Sequence, residues 1–176
     1  MHKALRAMVL GVAVGGCTSG DSSGDAVGGV ATVVRNVDGD TVVVEIDGQE
    51  EPVRFIGIDT PESVAQDRPV ECFGPEAKAR TAVLLPVGTV VRLERDVEAR
   101  DRYDRLLAYV IREGDGVLVN LLLVEEGYAE SSPFPPNTAR QAELDRAEAA
   151  ARAADLGLWP VCGDTSTPIG PVASPP

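Results

Sequence analysis

Short β-branched blocks separated by Asp-Gly pairs dominate the chain from Val30 to Ile58. Val30–Val37, Thr41–Ile46 and Val53–Ile58 are rich in valine and isoleucine, which suit a pleated, half-buried backbone. Asp38-Gly39 and Asp47-Gly48 interrupt them. Aspartate bonds its own backbone and glycine accepts positive φ, so each pair predicts a tight turn. The result is a meander of three strands.

After Pro61 the pattern changes. Ser63 to Glu71 is polar and contains Pro69, which predicts a loop. Gly74-Pro75-Glu76 opens a helix that runs from Pro75 to Leu85, because proline is tolerated where the first N–H has no partner. Thr89–Asp96 alternates like a strand with one solvated face, a charged turn follows over Val97–Asp104, and Leu106–Arg112 is the fifth strand. Leu106, Ala108 and Val110 form its core stripe. Val119–Glu126 predicts a short apolar helix closed by Gly127. Ser131–Asn137 is proline-rich and irregular. Thr138–Asp155 predicts an alanine-rich helix, with Leu144 and Leu156 on its apolar face and Trp159 packing beyond it on the strands. Three strands, a helix, two strands and two helices suit an α+β fold: a five-stranded closed barrel of the oligonucleotide/oligosaccharide-binding (OB-fold) type plus three helices.

Charge narrows the function. Twenty-eight acidic residues outnumber 16 basic ones, for a net charge of −12. Broad adhesion to nucleic acid needs a basic surface, so any phosphate chemistry has to be focused locally.

Residues 1–16 read as a targeting segment: Lys3 and Arg6, an apolar run from Ala7 to Val14 too short to span a bilayer, then small residues before Cys17. This pattern is similar to a bacterial lipoprotein signal, with cleavage before Cys17 and lipidation of its thiol. The plainer alternative is a secretory signal with an incidental cysteine. Either way the protein is expected to be exported. Residues 17–27 form a Gly/Ser/Asp tether, 28–162 the folded domain, and 163–176 a disordered Pro/Ser/Thr tail. Cys72 and Cys162 then remain, an even pair that reads as a disulfide in an exported protein or, less simply, as two buried thiols.

His2 is the only histidine and lies in the targeting segment. The mature chain thus has no imidazole base, no Ser-His-Asp triad and no histidine metal ligand. Chemistry falls to carboxylates, arginines, tyrosines and a metal. The stretch Asn36–Glu62 returns Asp38, Asp40, Arg54, Asp59 and Glu62 to one edge of the meander. Asp38 reads mainly as a turn residue. Arg54, inside an apolar strand, has to meet either carboxylates or a phosphate, since burying it unpaired is costly.

Six motifs in this order carry a resemblance: D-G-D-T at 38–41, V-R-F-I-G-I-D-T-P-E at 53–62, F-G-P-E-A at 73–77, D-R-Y-D-R-L-L-A-Y at 101–109, V-N at 119–120 and G-L-W at 157–159. Over residues 30–160 the chain resembles the staphylococcal nuclease (thermonuclease) family. The resemblance implies Ca²⁺ held by Asp40, Asp59 and the carbonyl of Thr60, and a water oriented or deprotonated by Glu62. It implies a phosphate gripped by Arg54 and Arg105, with Arg102 and Tyr103 on the terminal phosphate and base of a nucleotide. An all-oxygen ligand set suits Ca²⁺, and guanidinium forks suit phosphoryl oxygens.

The implied activity is Ca²⁺-dependent hydrolysis of single- and double-stranded DNA and of RNA by a monomer, with 5′ P–O cleavage leaving 3′-phosphates. The alternative is a non-catalytic nucleic-acid or protein-binding module on the cell surface. Three departures stand out. Asp104 occupies a position where the family often has glycine and is placed to pair with Arg105. Residues 128–137 lack the family's nucleotide-stacking tyrosines, with Phe134 the candidate substitute for one of them. The mature charge is near −14, with 14 basic against 28 acidic residues.

Overall fold

The computed structural model describes residues 27–63 and 70–167. The expected signal, almost all of the tether, Cys17, residues 64–69 of the polar loop and the tail beyond Thr167 lie outside the described residues.

Five strands close into a barrel. β1 (Val27–Asp38), β2 (Thr41–Ile46) and β3 (Gln49–Phe55) are the antiparallel meander. Helix α1 (Gly74–Leu84) follows, then β5 (Val90–Glu94) and β6 (Leu106–Arg112). The order around the barrel is β1-β2-β3-β6-β5, all antiparallel except β3 with β6. The predicted five strands, three helices and closure are all present. Side chains alternate as the period-two pattern requires: Val42, Val44, Val53, Phe55, Leu106, Ala108 and Val110 fill the interior, while Leu107 and Tyr109 on the outer face of β6 pack with Ile56.

The remaining helices are α2 (Val119–Glu125) and α3 (Gln141–Ala153). Gly127 ends α2 as expected, at φ 74. The Gly127 N–H donates to Val124 O and the Tyr128 N–H to Leu123 O, the paired bonds of a Schellman cap. Asn120, fully buried, accepts the Val110 N–H and donates to Ile56 O, tying α2 to the barrel wall.

Several expectations change. The third strand starts at Gln49 and stops at Phe55, because Gly57 turns the chain at φ 77. Ile58–Asp59 then forms β4, which pairs with β7 (Glu130–Ser131) in a separate two-stranded sheet. The irregular segment at 131–137 therefore begins inside a strand that sets Asp59 opposite Glu130. Leu156 lies past the end of α3 and is exposed. Trp159 packs with Ala151, Leu158, Phe73 and Cys162 away from the barrel core, under the Arg152 guanidinium at 3.8 Å. Cys72 and Cys162 are joined by a disulfide. The chain remains attached past Gly163: Thr165 is buried on Glu130, and Thr167 O accepts the Cys72 N–H at 2.7 Å.

Candidate active site

The β1–β2 turn is built around two carboxylates with different tasks. Asp38 accepts the Gly39 N–H at 2.9 Å and the Ser63 hydroxyl at 2.6 Å, so it is a turn residue that also pins the start of the following loop. Gly39 is not needed for positive φ, contrary to the sequence expectation. A Cβ there would sit 2.6–2.9 Å from the Thr60 side chain, so the glycine exists to let Thr60 approach. Asp40, nearly buried, accepts the Thr41 hydroxyl at 2.9 Å and the Thr60 N–H at 3.1 Å.

Arg54, paired with Thr41 across β2 and β3, points out of the barrel at these groups. One terminal nitrogen lies 3.1 Å from Asp40 and 2.7 Å from Asp59; the other donates to Phe55 O and Ile58 O. Of the two fates open to Arg54, this structure has the carboxylates. The same guanidinium thus fixes β4 relative to β3.

Asp59 remains half-exposed, and its pKa is pushed up from 3.8 to about 6. Desolvation is the main cause, opposed by Arg54 and reinforced by the like charges of Asp40, Glu71 and Glu130. One guanidinium does not offset that concentration of negative charge, and a hard cation on Asp40, Asp59 and the Thr60 carbonyl would. The donor set fits Ca²⁺, which takes six to eight oxygens and accepts waters among them. Among the described residues no group of three carboxylate, thiol or imidazole side chains forms a metal site by itself.

Glu62 is held at its backbone. Its N–H donates to the Glu71 carboxylate at 2.7 Å and its carbonyl accepts the Glu71 N–H at 2.9 Å. Gly74 permits this closeness, since a Cβ there would lie 2.5 Å from Glu62 O.

The second arginine is organised by a carboxylate that sequence reasoning passed over. Asp101 accepts the backbone N–H groups of Tyr103 and Arg105 and binds the Arg105 guanidinium through Nε at 2.7 Å. Burial alone would raise the Asp101 pKa, but the bonds from Arg105 and the two N–H groups hold it below the usual carboxylate range. Asp104 does not take Arg105. It turns away at φ 64, the left-handed conformation that favours glycine, and faces Arg100 at 3.6 Å. The signal for Asp101 was its spacing of four from Arg105; adjacency drew attention to Asp104 instead. Tyr103 is exposed, with Arg102 and Arg105 over its ring at 4.7 and 5.5 Å.

Asp40, Arg54, Asp59, Thr60, Glu62, Arg102, Tyr103 and Arg105 all line one open cleft of about 830 Å³. Arg35 and Lys78, which the sequence did not single out, line it too. A second cavity of about 570 Å³ adjoins it, sharing Arg54, Arg102, Tyr103 and Arg105 and lined further by Phe55, Leu107 and Phe134.

Residues 52–161 match the sequence profile of the family described as staphylococcal nuclease homologue. The chain is 41% identical to the thermonuclease of Staphylococcus intermedius over 138 residues, covering 78% of this chain and 80% of that one. It is 38% identical to the thermonuclease of Staphylococcus hyicus over 127 residues, covering 72% and 73%. Similarity extends to the endonuclease YncB of Bacillus subtilis, 35% identical over 134 residues, covering 75% of this chain and 62% of that one. With the ordered motifs folded into one barrel and one cleft, the chain belongs to the staphylococcal nuclease homologue family.

Proposed function

We propose that the protein is a Ca²⁺-dependent nuclease hydrolysing phosphodiester bonds of DNA and RNA, with the 5′ oxygen departing and a 3′-phosphate left behind. The observation that carries this reading is the convergence of two arginines and two candidate ligand aspartates in one cleft, together with relatives named thermonuclease and endonuclease. Arg54 and Arg105 present guanidinium groups to the non-bridging phosphate oxygens, where negative charge grows as the nucleophile adds. Each is preorganised by a carboxylate, so little reorganisation accompanies the reaction.

Asp40, Asp59 and the Thr60 carbonyl hold the Ca²⁺, which when bound supplies charge neutralisation and lowers the pKa of water. Glu62 accepts the proton of the attacking water and is kept in place by Glu71 at its backbone. Arg102 and Tyr103 hold the neighbouring nucleotide, with the tyrosine ring as a stacking surface. In the adjoining cavity Phe134 offers the aromatic face that replaces the missing tyrosines.

The protein is exported and tethered through a lipid on Cys17, acting as a monomer at the cell surface. No helix among the described residues is long and apolar enough to cross a membrane. A binding module without catalysis needs none of this convergence. The test is cleavage of single-stranded DNA in Ca²⁺ or in chelator, beside Arg105→Ala. Cleavage in Ca²⁺ that chelation and the substitution both abolish is expected; cleavage indifferent to both would reject the mechanism. Mass measurement of the membrane-extracted protein should find acyl chains on Cys17, and a mature form starting elsewhere rejects the tether.

A further inference from the structure

The chain has 16 basic and 28 acidic residues, yet five cations and four carboxylates line the main cleft. Three of those cations, Arg54, Arg102 and Arg105, also line the adjoining cavity and are occupied by the reading above. The other two, Arg35 and Lys78, line the main cleft and not that cavity.

Lys78 is the only lysine of the chain besides Lys3. It stands in the second turn of α1, near the positive end of the helix dipole, where a cation gains nothing from the helix. Its neighbours three and four positions away are Pro75, Thr81, Gly74 and Ala82, so no acidic partner lies on its helix face. Among the described residues its side chain makes no ion pair or hydrogen bond, whereas most of the described arginines are paired. Its placement is fixed nevertheless, because the Thr81 hydroxyl, one turn on, donates to Gly39 O at 2.5 Å and locks α1 against the Asp38–Asp40 turn.

Arg35 sits across this contact on β1, next to Asn36, whose side chain donates to Leu85 O just beyond α1. Its one ion-pair partner among the described residues is Glu50 at 3.9 Å, with both side chains more than half exposed, a pair that holds little energy and gives way readily.

We propose that Lys78 and Arg35 form a second phosphate subsite, which takes a backbone phosphate of the same polynucleotide strand on the side of the scissile bond opposite to the Arg102–Tyr103 nucleotide. This rests on the nuclease reading and adds to it a direction: the strand crosses the cleft from the aromatic cavity, over Arg54, to the α1–β1 edge. The subsite lets an acidic protein hold a polyanion where it is cut and nowhere else. The point charge of Lys78 suits this task, since an outlying phosphate is held without fixed orientation.

The test compares the full chain with Lys78→Ala and Lys78→Arg on two substrates in Ca²⁺, a dinucleotide and an oligothymidylate about a dozen nucleotides long. Binding of the fluorescein-labelled oligomer in chelator is followed by anisotropy. Lys78→Ala is expected to raise KM for the oligomer roughly fivefold at low salt with kcat unchanged, to leave dinucleotide kinetics unchanged, and to make the log affinity–log salt slope shallower by about 0.7. Lys78→Arg keeps the wild-type values. Unchanged oligomer KM and salt slope would overturn the subsite, as would an equal loss on the dinucleotide, which would put Lys78 at the reacting phosphate. If the wild-type chain cleaves neither substrate, the nuclease reading fails separately; the anisotropy slope still decides the subsite, and no binding overturns it.

Discussion

Asp101 holds Arg105 through Nε and a terminal nitrogen, both at 2.7 Å, and accepts the Arg105 backbone N–H with its other oxygen. The carboxylate is buried while the guanidinium is one-third exposed, so the pair presents a fixed cation at the cleft wall. Asp101→Ala releases that guanidinium. Misplacement of about 1 Å costs on the order of a hundredfold in rate, so kcat should fall roughly 10- to 100-fold with a smaller change in KM. A double-mutant cycle with Arg105→Ala isolates the effect. If Asp101→Ala lowers activity by the same factor when Arg105 is already absent, Asp101 does not act through the arginine.

The raised pKa of Asp59 sets a pH dependence for the metal-free protein. Its value in the folded chain, about 6, lies above the unfolded 3.8. Protonation therefore favours the folded form, a contribution present in full below about pH 4 and lost as pH rises through about 6. Ca²⁺, if held as proposed, would replace the proton in relieving the crowded charge. Thermal melts should show a larger Ca²⁺-induced rise in Tm at pH 8 than at pH 5, and calorimetry near pH 6 should detect proton release on binding. Equal stabilisation at both pH values would show that Asp59 is not titrating against the metal.

The barrel was legible because each of its five strands carries its own period-two or β-branched signal, and because the Asp-Gly pair at 47–48 marks a strand boundary chemically, as Gly127 marks the end of α2. The ion-pairing pattern was not. Arg54 announced a partner by lying in an apolar strand, but nothing local distinguished carboxylates from phosphate. In the string D-R-Y-D-R only spacing from Arg105 separates Asp101 from Asp104, until the backbone turns one inward and the other to φ 64. β4 and β7 are two residues each, too short for any periodicity, and exist only because the Gly57 turn brings Ile58–Asp59 alongside Glu130–Ser131. Nothing local marked Lys78, whose place at the cleft depends on the Thr81 hydroxyl fixing α1 on the Gly39 turn.

The Cys72–Cys162 bond closes a separation of 90 residues and ties the segment after α3 to the one that clamps Glu62. Loop closure of that length corresponds to roughly 4–5 kcal/mol in the unfolded chain, often less in practice. Cys72→Ser with Cys162→Ser should lower Tm by about 10 °C or more, given about 2–4 °C per kcal/mol for a chain of this size. Activity at 25 °C should drop by a larger factor than the unfolded fraction explains, because Glu71 precedes Cys72 directly. Activity that tracks only the folded fraction would confine the disulfide to stability.

Gly39 and Thr60 meet so closely that a single methyl group is expected to separate metal affinity from fold. Gly39→Ala places a Cβ within 2.6–2.9 Å of three Thr60 side-chain atoms. Gly39 lies outside the positive-φ set, so the alanine backbone is unstrained and the cost comes from the clash, about 1–3 kcal/mol. Thr60 has to move, and with it go the N–H bonded to Asp40 and the carbonyl proposed to hold Ca²⁺. The barrel strands on either side keep their register. We expect Ca²⁺ affinity measured by calorimetry to fall at least tenfold, while far-ultraviolet circular dichroism is unchanged and Tm drops by only a few degrees. Undiminished affinity in a folded Gly39→Ala protein would remove Thr60 from the ligand set and leave Asp40 and Asp59 to bind the ion with solvent alone.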